Sequence, residues 1–277
     1  MNITIAEIYD GMTLRELFQF LHLPKKDLHQ LNMSKEITIN AQPAKLMDRV
    51  QAGDKVYIPT PEEKSYYLPS YRYAQIYYED DDMLIVMKPK GVKTHPNDLK
   101  ESNTLMNHII YTVDSEYVEP IHRLDQETVG LLIVAKNPLM KKILDRMLED
   151  NQIDRIYRAK VKSLLPVKPQ TIDMPIGKDK FHPNRKRVSS TGQRAITHII
   201  DSEMLEENVC QLELKLDTGR THQIRVHLAE IGHPVLGDPL YGNSTLRQLQ
   251  LHSHKIELIH PFTREQISVS LDDEPLN

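Results

Sequence analysis

The chain has 277 residues, with 35 Lys or Arg against 39 Asp or Glu, so its formal net charge is −4. Hydrophobic residues make up 39% and charged residues 27%, a balance typical of a folded globular protein rather than a disordered one. The longest apolar runs are far shorter than the roughly 20 residues that a membrane-spanning helix needs. Cys210 is the only cysteine, which excludes an intrachain disulfide and a thiolate metal cluster. The start of the chain carries acids where a signal peptide carries positive charge, so we expect a cytosolic protein with no membrane attachment.

The negative net charge argues against a protein that coats nucleic acid over its whole surface. Basic residues are nevertheless concentrated locally, because residues 178–187 contain five basic side chains and one acid. The tail 271–277 contains three acids and no base, which contributes to the overall sign. The charge pattern therefore allows an anionic partner at one localised surface.

The N-terminal part of the chain predicts a small unit of two helices and two short strands. Thr13 and Glu16 have the spacing of a capping box at the start of the first helix. The second helix is predicted over 25–31, and the strands over 37–40 and 55–58. Residues 59–72 follow with three prolines and no periodicity, which is typical of a linker.

The remainder of the chain predicts more strands than helices, without strict alternation. We therefore expect an α+β fold with a large mixed, mainly antiparallel sheet and flanking helices. Helices are predicted over 104–111, after the N-cap Asn137, and over 223–231. Strands are predicted over 74–79, 83–87, 131–136, 156–162, 196–204, 209–216, 256–259 and 266–271.

A group of polar residues, His122-Arg123-Leu124-Asp125, stands just before one of the predicted buried strands. An acid in a loop held by a rigid strand is well placed to serve as a nucleophile or a general base. An isolated motif of this kind is more often a surface turn with solvated charges. The motif alone therefore leaves a structural and a catalytic interpretation open.

A second polar group lies at the start of the predicted helix over 223–231. Arg225 is a candidate partner for Asp125, because a guanidinium beside a carboxylate orients it and favours its charged form. Ile224 can supply an apolar contact beside it. His222 and His227 are five residues apart rather than four, and no nearby acid completes a ligand set, so we do not predict a metal site.

Two further features carry little information by themselves. Tyr157 lies on a predicted strand among basic residues, where its ring could stack on a planar base or simply fill the core. Lys88 begins the stiff turn Lys88-Pro89-Lys90-Gly91, and the segment GDPLYG forms a similar turn near the C-terminus. Neither turn indicates a function when taken alone.

Taken together and in order, five segments resemble the signature blocks of the RluA/RluD-type RNA pseudouridine synthase family. They are MKPKGVKTHP, HRLDQETVGLLIVAK, RIYRAKV, GRTHQIRVHL and GHPVLGDPLYG. The resemblance extends from Tyr73 to the C-terminus and implies a catalytic domain over 73–277. More weakly, residues 1–58 resemble the small alpha-L RNA-binding module that often precedes this domain, here with seven basic and seven acidic residues. Residues 59–72 would join the two as a linker.

The resemblance implies that the protein isomerises selected uridines in structured RNA, ribosomal or transfer, to pseudouridine without a cofactor or a metal. Asp125 matches the family's catalytic aspartate, Arg225 the arginine that pairs with it, and Tyr157 the tyrosine that packs against the target base. Val129 departs from the family's usual serine and Lys90 from its usual small residue. Neither departure removes a catalytic group.

The expected substrate-binding residues are Arg123, His122, Ile224 and Lys88. Arg123 matches the arginine that fills the gap left by a nucleotide flipped out of its stack, and His122 is expected to support the loop. The basic segment 178–187 lies between predicted strands and suits a mobile loop that grips phosphates. We expect a monomer.

Two other functions are compatible with parts of this pattern. One is a noncatalytic RNA-binding or ribosome-assembly factor that keeps the same fold. The other is a carboxylate glycosidase, which needs a second acid about 5–10 Å from the first, and for which Glu127 is the nearest acid in sequence.

Overall fold

A ten-stranded sheet of mixed orientation forms the centre of the computed structural model, which describes residues 1–98, 100–242, 246 and 248–271. Over these residues the strands are β1 (Asn2–Thr4), β2 (Thr38–Ile39), β3 (Gln42–Pro43), β4 (Lys55–Tyr57), β5 (Gln75–Glu79), β6 (Met83–Lys88), β7 (Glu119–Pro120), β8 (Val129–Ala135), β9 (Ile153–Lys162), β10 (Gln170–Asp173), β11 (Ile176–Lys178), β12 (Lys186–Val188), β13 (Ile196–Glu206), β14 (Val209–Leu216), β15 (Leu251–Ile259) and β16 (Gln266–Ser270). The helices are α1 (Leu14–Phe20), α2 (Lys25–Ser34), α3 (Leu105–Thr112), α4 (Pro138–Glu149) and α5 (Gln223–Glu230), with a 3-10 turn at Glu7–Tyr9.

The large sheet has the strand order β10-β13-β14-β9-β15-β8-β6-β5, with β16 beside β15 and β7 beside β8. Strands β15 and β8 run parallel, and the other described pairs of this sheet are antiparallel. This arrangement confirms the predicted α+β fold with a mixed, mainly antiparallel sheet. No helix among the described residues combines the length and the apolar character needed to cross a membrane.

Every helix and strand predicted from the sequence is present, with ends displaced by at most five residues. The strands that the sequence did not predict, such as β1 and β10, are two to four residues long and show too little alternation to be recognised. One expectation was wrong in part. The basic segment 178–187 is not simply a loop, because β11 and β12 pair antiparallel and make it the end of a hairpin.

Strand β8 lies in the middle of the sheet and follows directly on the Asp125 loop. All seven of its residues are buried, as expected for a strand covered on both faces. Gly130 has φ +125°, and a Cβ there would lie 2.2 Å from the carbonyl oxygen of Ser253 in β15. Glycine is therefore required for the close approach of β8 and β15, which sets where the loop before β8 emerges.

The N-terminal unit packs onto the part of the chain that carries the large sheet. Its four strands form a separate sheet in the order β1-β4-β2-β3, and the predicted capping box is present at α1. Buried side chains of α1 and α2 share one apolar core with α4 and β15. The Tyr9 hydroxyl donates a 2.6 Å hydrogen bond to the carbonyl oxygen of Pro261. The domain limits at 58 and 72 stay predictions, although residues 59–70 contain neither helix nor strand.

Candidate active site

Asp125 is held in the loop between β7 and β8 by a second loop that follows β6. The Thr94 hydroxyl donates to the carbonyl oxygen of Leu124 at 3.0 Å and accepts the Leu124 N–H at 3.1 Å. The Thr128 N–H donates to the Asp125 carbonyl oxygen at 3.1 Å and closes the turn. The backbone under the carboxylate is therefore fixed on both sides.

Lys88, predicted to bind substrate, lies fully buried beneath this loop. Its ammonium group donates to three carbonyl oxygens, those of Pro89 at 3.0 Å, Val92 at 2.7 Å and Gln126 at 3.0 Å. Burial lowers the pKa of Lys88 to about 8, against the raising effect of the negative charges of Asp125 and Glu127. The structure thus gives Lys88 a place in support of the Asp125 loop, because no part of its side chain is exposed for substrate.

Arg225, on α5, joins two carboxylates. Its Nη1 donates to Oδ2 of Asp125 at 3.1 Å. Its Nε donates to Oδ2 of Asp238 and its Nη2 to Oδ1 of Asp238, both at 2.8 Å. The Asp238 side chain is fully buried. Burial favours its neutral acid, but the hydrogen bonds and charge of Arg225 outweigh burial and lower the pKa of Asp238. The bidentate pair fixes the guanidinium plane, so that the remaining N–H groups face Asp125.

Asp238 lies in the segment GDPLYG, whose composition is that of an ordinary turn and does not mark the acid as functional. In the structure Gly237 has φ +73°, and a Cβ there would overlap the carbonyl oxygen of Gln248 at 1.8 Å. Oδ1 of Asp238 also accepts the N–H groups of Leu240 and Tyr241. The turn thus places a buried acid behind Arg225. This role depends on a contact between distant segments and cannot be read from the residues of the turn.

His222 and Tyr241 complete the wall beside Asp125. His222 lies outside α5, at its N-cap with φ +59°. The Lys186 N–H donates to the Tyr241 hydroxyl, whose oxygen lies 2.9 Å from Nδ1 of His222. Nε2 of His222 lies 3.8 Å from Oδ2 of Asp125. Burial lowers the pKa of His222, against the opposite effect of Asp125.

These side chains surround a pocket whose floor belongs to β9. Tyr157 and Ile224, both predicted site residues, are 4% exposed and line it together with Asp125 and Arg225. Burial raises the pKa of Tyr157, which keeps its phenol neutral, with the positive charge of Arg155 as the largest opposing effect. The pocket thus places a carboxylate, a guanidinium and an aromatic ring around one small space.

The pocket opens into a wider cleft of about 620 Å³. Arg123 is exposed at the junction and lines both spaces. The outer cleft is bordered by Lys93 and by Lys186 of the basic hairpin, with Glu127 on the same loop as Asp125. Cationic side chains therefore surround the approach to Asp125, as an anionic polymer requires.

His122, like Lys88, is a predicted site residue that does not line the pocket. Burial lowers the pKa of this histidine to about 3, and its ring faces the backbone of β8, with Nε2 3.4 Å from the Ile133 N–H. The neutral ring packs behind the Asp125 loop, which agrees with a supporting place and not with substrate contact.

One group of side chains among the described residues has the composition of a metal site, and it lies away from the pocket. Ligand atoms of Asp80, Asp82 and His260 lie within 4.8 Å of one another. Nδ1 of His260 accepts N–H groups from Phe262 and Thr263, so its proton is on Nε2, which faces Asp80 at 3.3 Å. A protonated Nε2 is a hydrogen-bond donor and not a metal ligand, so this histidine directs a donor toward Asp80 instead of a metal-binding lone pair.

Comparison with known proteins assigns this arrangement to a class. Residues 82–230 match the family model described as RNA pseudouridylate synthase, and residues 1–56 match the RluD ribosomal pseudouridine synthase N-terminal domain. The chain belongs to the RNA pseudouridine synthase family, whose members are isomerases that act on RNA.

Several relatives cover most of the chain. An uncharacterized RNA pseudouridine synthase of Bacillus subtilis, YhcT, is 41% identical over 96% of this chain and 91% of that protein. Ribosomal large subunit pseudouridine synthase D of Neisseria meningitidis serogroup B is 31% identical over 84% of this chain and 67% of that protein. Among solved structures, human RNA pseudouridylate synthase domain containing 1 superposes with a TM-score of 0.58 at 26% identity, covering 77% of this chain and 86% of that one.

Proposed function

We propose that this protein converts specific uridines of structured RNA to pseudouridine, with Asp125 as the catalytic carboxylate. The observation that carries the proposal is the 3.1 Å contact of Arg225 with Asp125 in the pocket floored by Tyr157. These three residues come from a loop, a helix and a strand that are far apart in sequence. Their convergence at one pocket supports a site for chemistry more than a surface turn does.

The reaction breaks the bond from C1′ to N1 of uracil, turns the base, and forms a bond from C1′ to C5. The C5 proton is lost, and N1 gains one. Two routes use the same carboxylate, which either attacks C1′ as a nucleophile or removes a proton from the ribose as a base. Both routes need a carboxylate fixed beside the sugar, and the clamp of Asp238 on Arg225 supplies that fixed position.

The burial of Tyr157 supports a mechanism in which the target nucleotide leaves its stack. Tyr157, 4% exposed, can contact a base only after that base has entered the pocket, at a cost of a few kcal/mol for unstacking. Arg123, exposed at the mouth, is placed to occupy the vacated position. Lys186 borders the outer cleft and is suited to phosphate contacts, which orient RNA without reading its sequence, whereas the ammonium of Lys93 is paired with Glu101 at 2.6 Å.

Ribosomal and transfer RNA are the two candidate substrates, and no cofactor is needed for either. The ribosomal large subunit named in several relatives favours ribosomal RNA. A noncatalytic RNA-binding factor is the alternative, and the intact set of Asp125, Arg225 and Tyr157 argues against it. Glu127, the second acid that a glycosidase would need, borders the outer cleft and not the inner pocket.

The proposal is tested with RNA from cells that lack the gene, labelled with 5-tritiated uridine. Formation of the bond to C5 releases tritium, so the purified protein should release it and sequencing should locate the new pseudouridines. Asp125→Asn should lower the rate by at least about 1,000-fold, because it removes the reacting carboxylate while keeping its shape.

Asp201→Asn, at an exposed position of β13, is the matched control and should keep the wild-type rate. Tritium release by Asp125→Asn at a near-normal rate would refute the assignment of Asp125. RNA binding without any release by the wild-type protein would favour the noncatalytic alternative.

A further inference from the structure

A second buried arginine lies in the same pocket and has no role in the steps above. Strand β9 alternates buried and partly exposed residues, which puts Arg155 and Tyr157 on the same face of the sheet. Arg155 is 4% exposed, and it lines the pocket together with Tyr157 and Asp125. Its guanidinium is therefore a buried positive charge at the floor of the pocket.

The hydrogen-bonding groups of Arg155 are not fully used by the protein. Its Nε–H is buried and has no hydrogen-bond partner, and no carboxylate among the described residues forms an ion pair with it. A buried charge without a counter-charge is costly, and a buried donor without an acceptor adds to that cost. Arg225, equally buried, has two carboxylates. The Arg155 guanidinium contacts the Tyr157 hydroxyl, but its Nε–H has no acceptor among the described residues.

The backbone around Arg155 leaves one side of its guanidinium uncovered by side chains. Gly219 faces it, and a Cβ at that position would lie 3.6 Å from Nη1. Leu216 and Leu251 also line the pocket, and their side chains offer no hydrogen-bond acceptor. A ligand in the pocket could therefore bring the acceptor that the Arg155 Nε–H lacks.

We propose that Arg155 donates a hydrogen bond to a carbonyl oxygen of the uracil base, an inference that rests on the proposed function. The base that contacts Tyr157 lies beside Arg155, two residues away on the same face of the strand. Uracil presents two carbonyl oxygens, O2 and O4, whereas cytosine has an amino group in place of O4. A guanidinium only donates hydrogen bonds, so it can bind O4 of uracil but meets another donor in the amino group of cytosine.

A phosphate is a poorer ligand for this arginine than a base carbonyl. Arg155 is buried at the floor, whereas Arg123 and Arg220 are exposed at the mouth of the same pocket. The ribose-phosphate backbone reaches the mouth first, and the base enters ahead of it into the interior. The arginines at the mouth are thus placed to meet the phosphate, and Arg155 at the floor is placed to meet the base.

The test replaces Arg155 by methionine, which has a similar shape and no charge. We expect Arg155→Met to lower the single-turnover rate on the mapped RNA about 10- to 100-fold, the effect of losing a charged hydrogen bond. Its melting temperature should equal or exceed that of the wild type, because an unpaired buried charge is removed. Arg158→Met is the matched control on the same strand, since Arg158 pairs with Glu213 on the other face, and it should keep the wild-type rate.

Thio-substituted RNA identifies the contact directly. Sulfur is a weak acceptor, so 4-thiouridine or 2-thiouridine at the target position should slow the wild-type protein but not slow Arg155→Met any further. The position that shows this non-additivity is the one that Arg155 contacts.

Three results would overturn the inference: a wild-type rate for Arg155→Met, additive effects of both thio-substitutions, or a markedly lower melting temperature of the variant. The last would mean that protein groups satisfy the guanidinium. A wild-type protein inactive on every RNA would instead remove the proposed function, and this inference with it.

Discussion

The pocket contains two buried arginines, one on each side, that differ in whether the protein supplies their hydrogen-bond partners. On the α5 side, Arg225 is 3% exposed and contacts two carboxylates, Asp125 and Asp238. On the β9 side, Arg155 is 4% exposed and has an unused Nε–H. On the α5 side the protein itself supplies the partners of the arginine, whereas on the β9 side a bound ligand would supply the missing acceptor. The difference separates the group that must be rigid for the reaction from the group that is free to recognise the base.

The largest effect is expected when Arg225 loses a carboxylate partner and so becomes a buried arginine with an unpaired N–H, as Arg155 is. Asp238→Asn keeps an oxygen for the N–H groups of Leu240 and Tyr241 but presents an N–H₂ group to the Nε–H of Arg225. Breaking one partner of a buried ion pair should lower the free energy of unfolding by about 3 kcal/mol. The single-turnover rate should fall about 10- to 100-fold because Arg225 is no longer held toward Asp125.

Asp238→Glu retains the charge and should recover part of the rate, which separates positioning from simple loss of folding. Urea unfolding and the tritium-release assay measure the two effects. A wild-type rate in Asp238→Asn would show that Asp238 does not orient Arg225.

A third buried cation, Lys88, sharpens the comparison, because its partners are carbonyl oxygens instead of carboxylates. Lys88→Met leaves these oxygens without a donor, and we expect it to lower the free energy of unfolding by about 1–3 kcal/mol at pH 7. The folded pKa of about 8 lies below the ordinary lysine value of 10.5. The unfolded chain therefore binds more protons between these values, and wild-type stability rises with pH there.

The stability difference between wild type and Lys88→Met should consequently increase by about 2 kcal/mol from pH 7 to pH 9.5. Lys90→Met, an exposed position in the same turn, is the control and should show no such increase. A difference that is constant with pH would contradict the burial of a charged Lys88.

The smallest expected effect on stability comes from Asp82, a partly buried carboxylate beside the negative charge of Asp80. Burial and the negative charge of Asp80 raise the pKa of Asp82 to about 6 from the ordinary value of 3.8. The folded state therefore binds more protons between these values, and wild-type stability falls as pH rises through them. Asp82→Asn removes this effect and should raise the free energy of unfolding by about 1 kcal/mol at pH 7.5, after allowance for partial solvent screening.

The gain should largely disappear at pH 3.5, where wild-type Asp82 is protonated in the folded state and mostly protonated in the unfolded state. Thermal unfolding at the two pH values measures it, with Asp81→Asn, an exposed neighbour, as the control. Stabilisation of equal size at both pH values would show that the effect does not come from the ionisation of Asp82.

Local pattern was a good guide to the secondary structure. The capping box at Thr13 and the Asn137-Pro138 helix start are present, because such signals depend on bonds within a few residues. The short strands β11 and β12 were missed, since three residues each give no readable alternation. Of the candidate site residues, Asp125, Arg225, Tyr157, Ile224 and Arg123 converge on the pocket, whereas Lys88 and His122 lie behind it.

The sequence by itself determined the class of fold and the family, and it singled out the carboxylate that we propose to be catalytic, because these are written in side-chain periodicity and in blocks of residues. Only the tertiary structure decided which charges are paired. Asp238 meets Arg225 across a turn of Gly237, and Arg155 is left with an unused donor at the pocket floor. Whether a buried charge has a partner depends on elements distant in sequence, and no spacing along the chain encodes it.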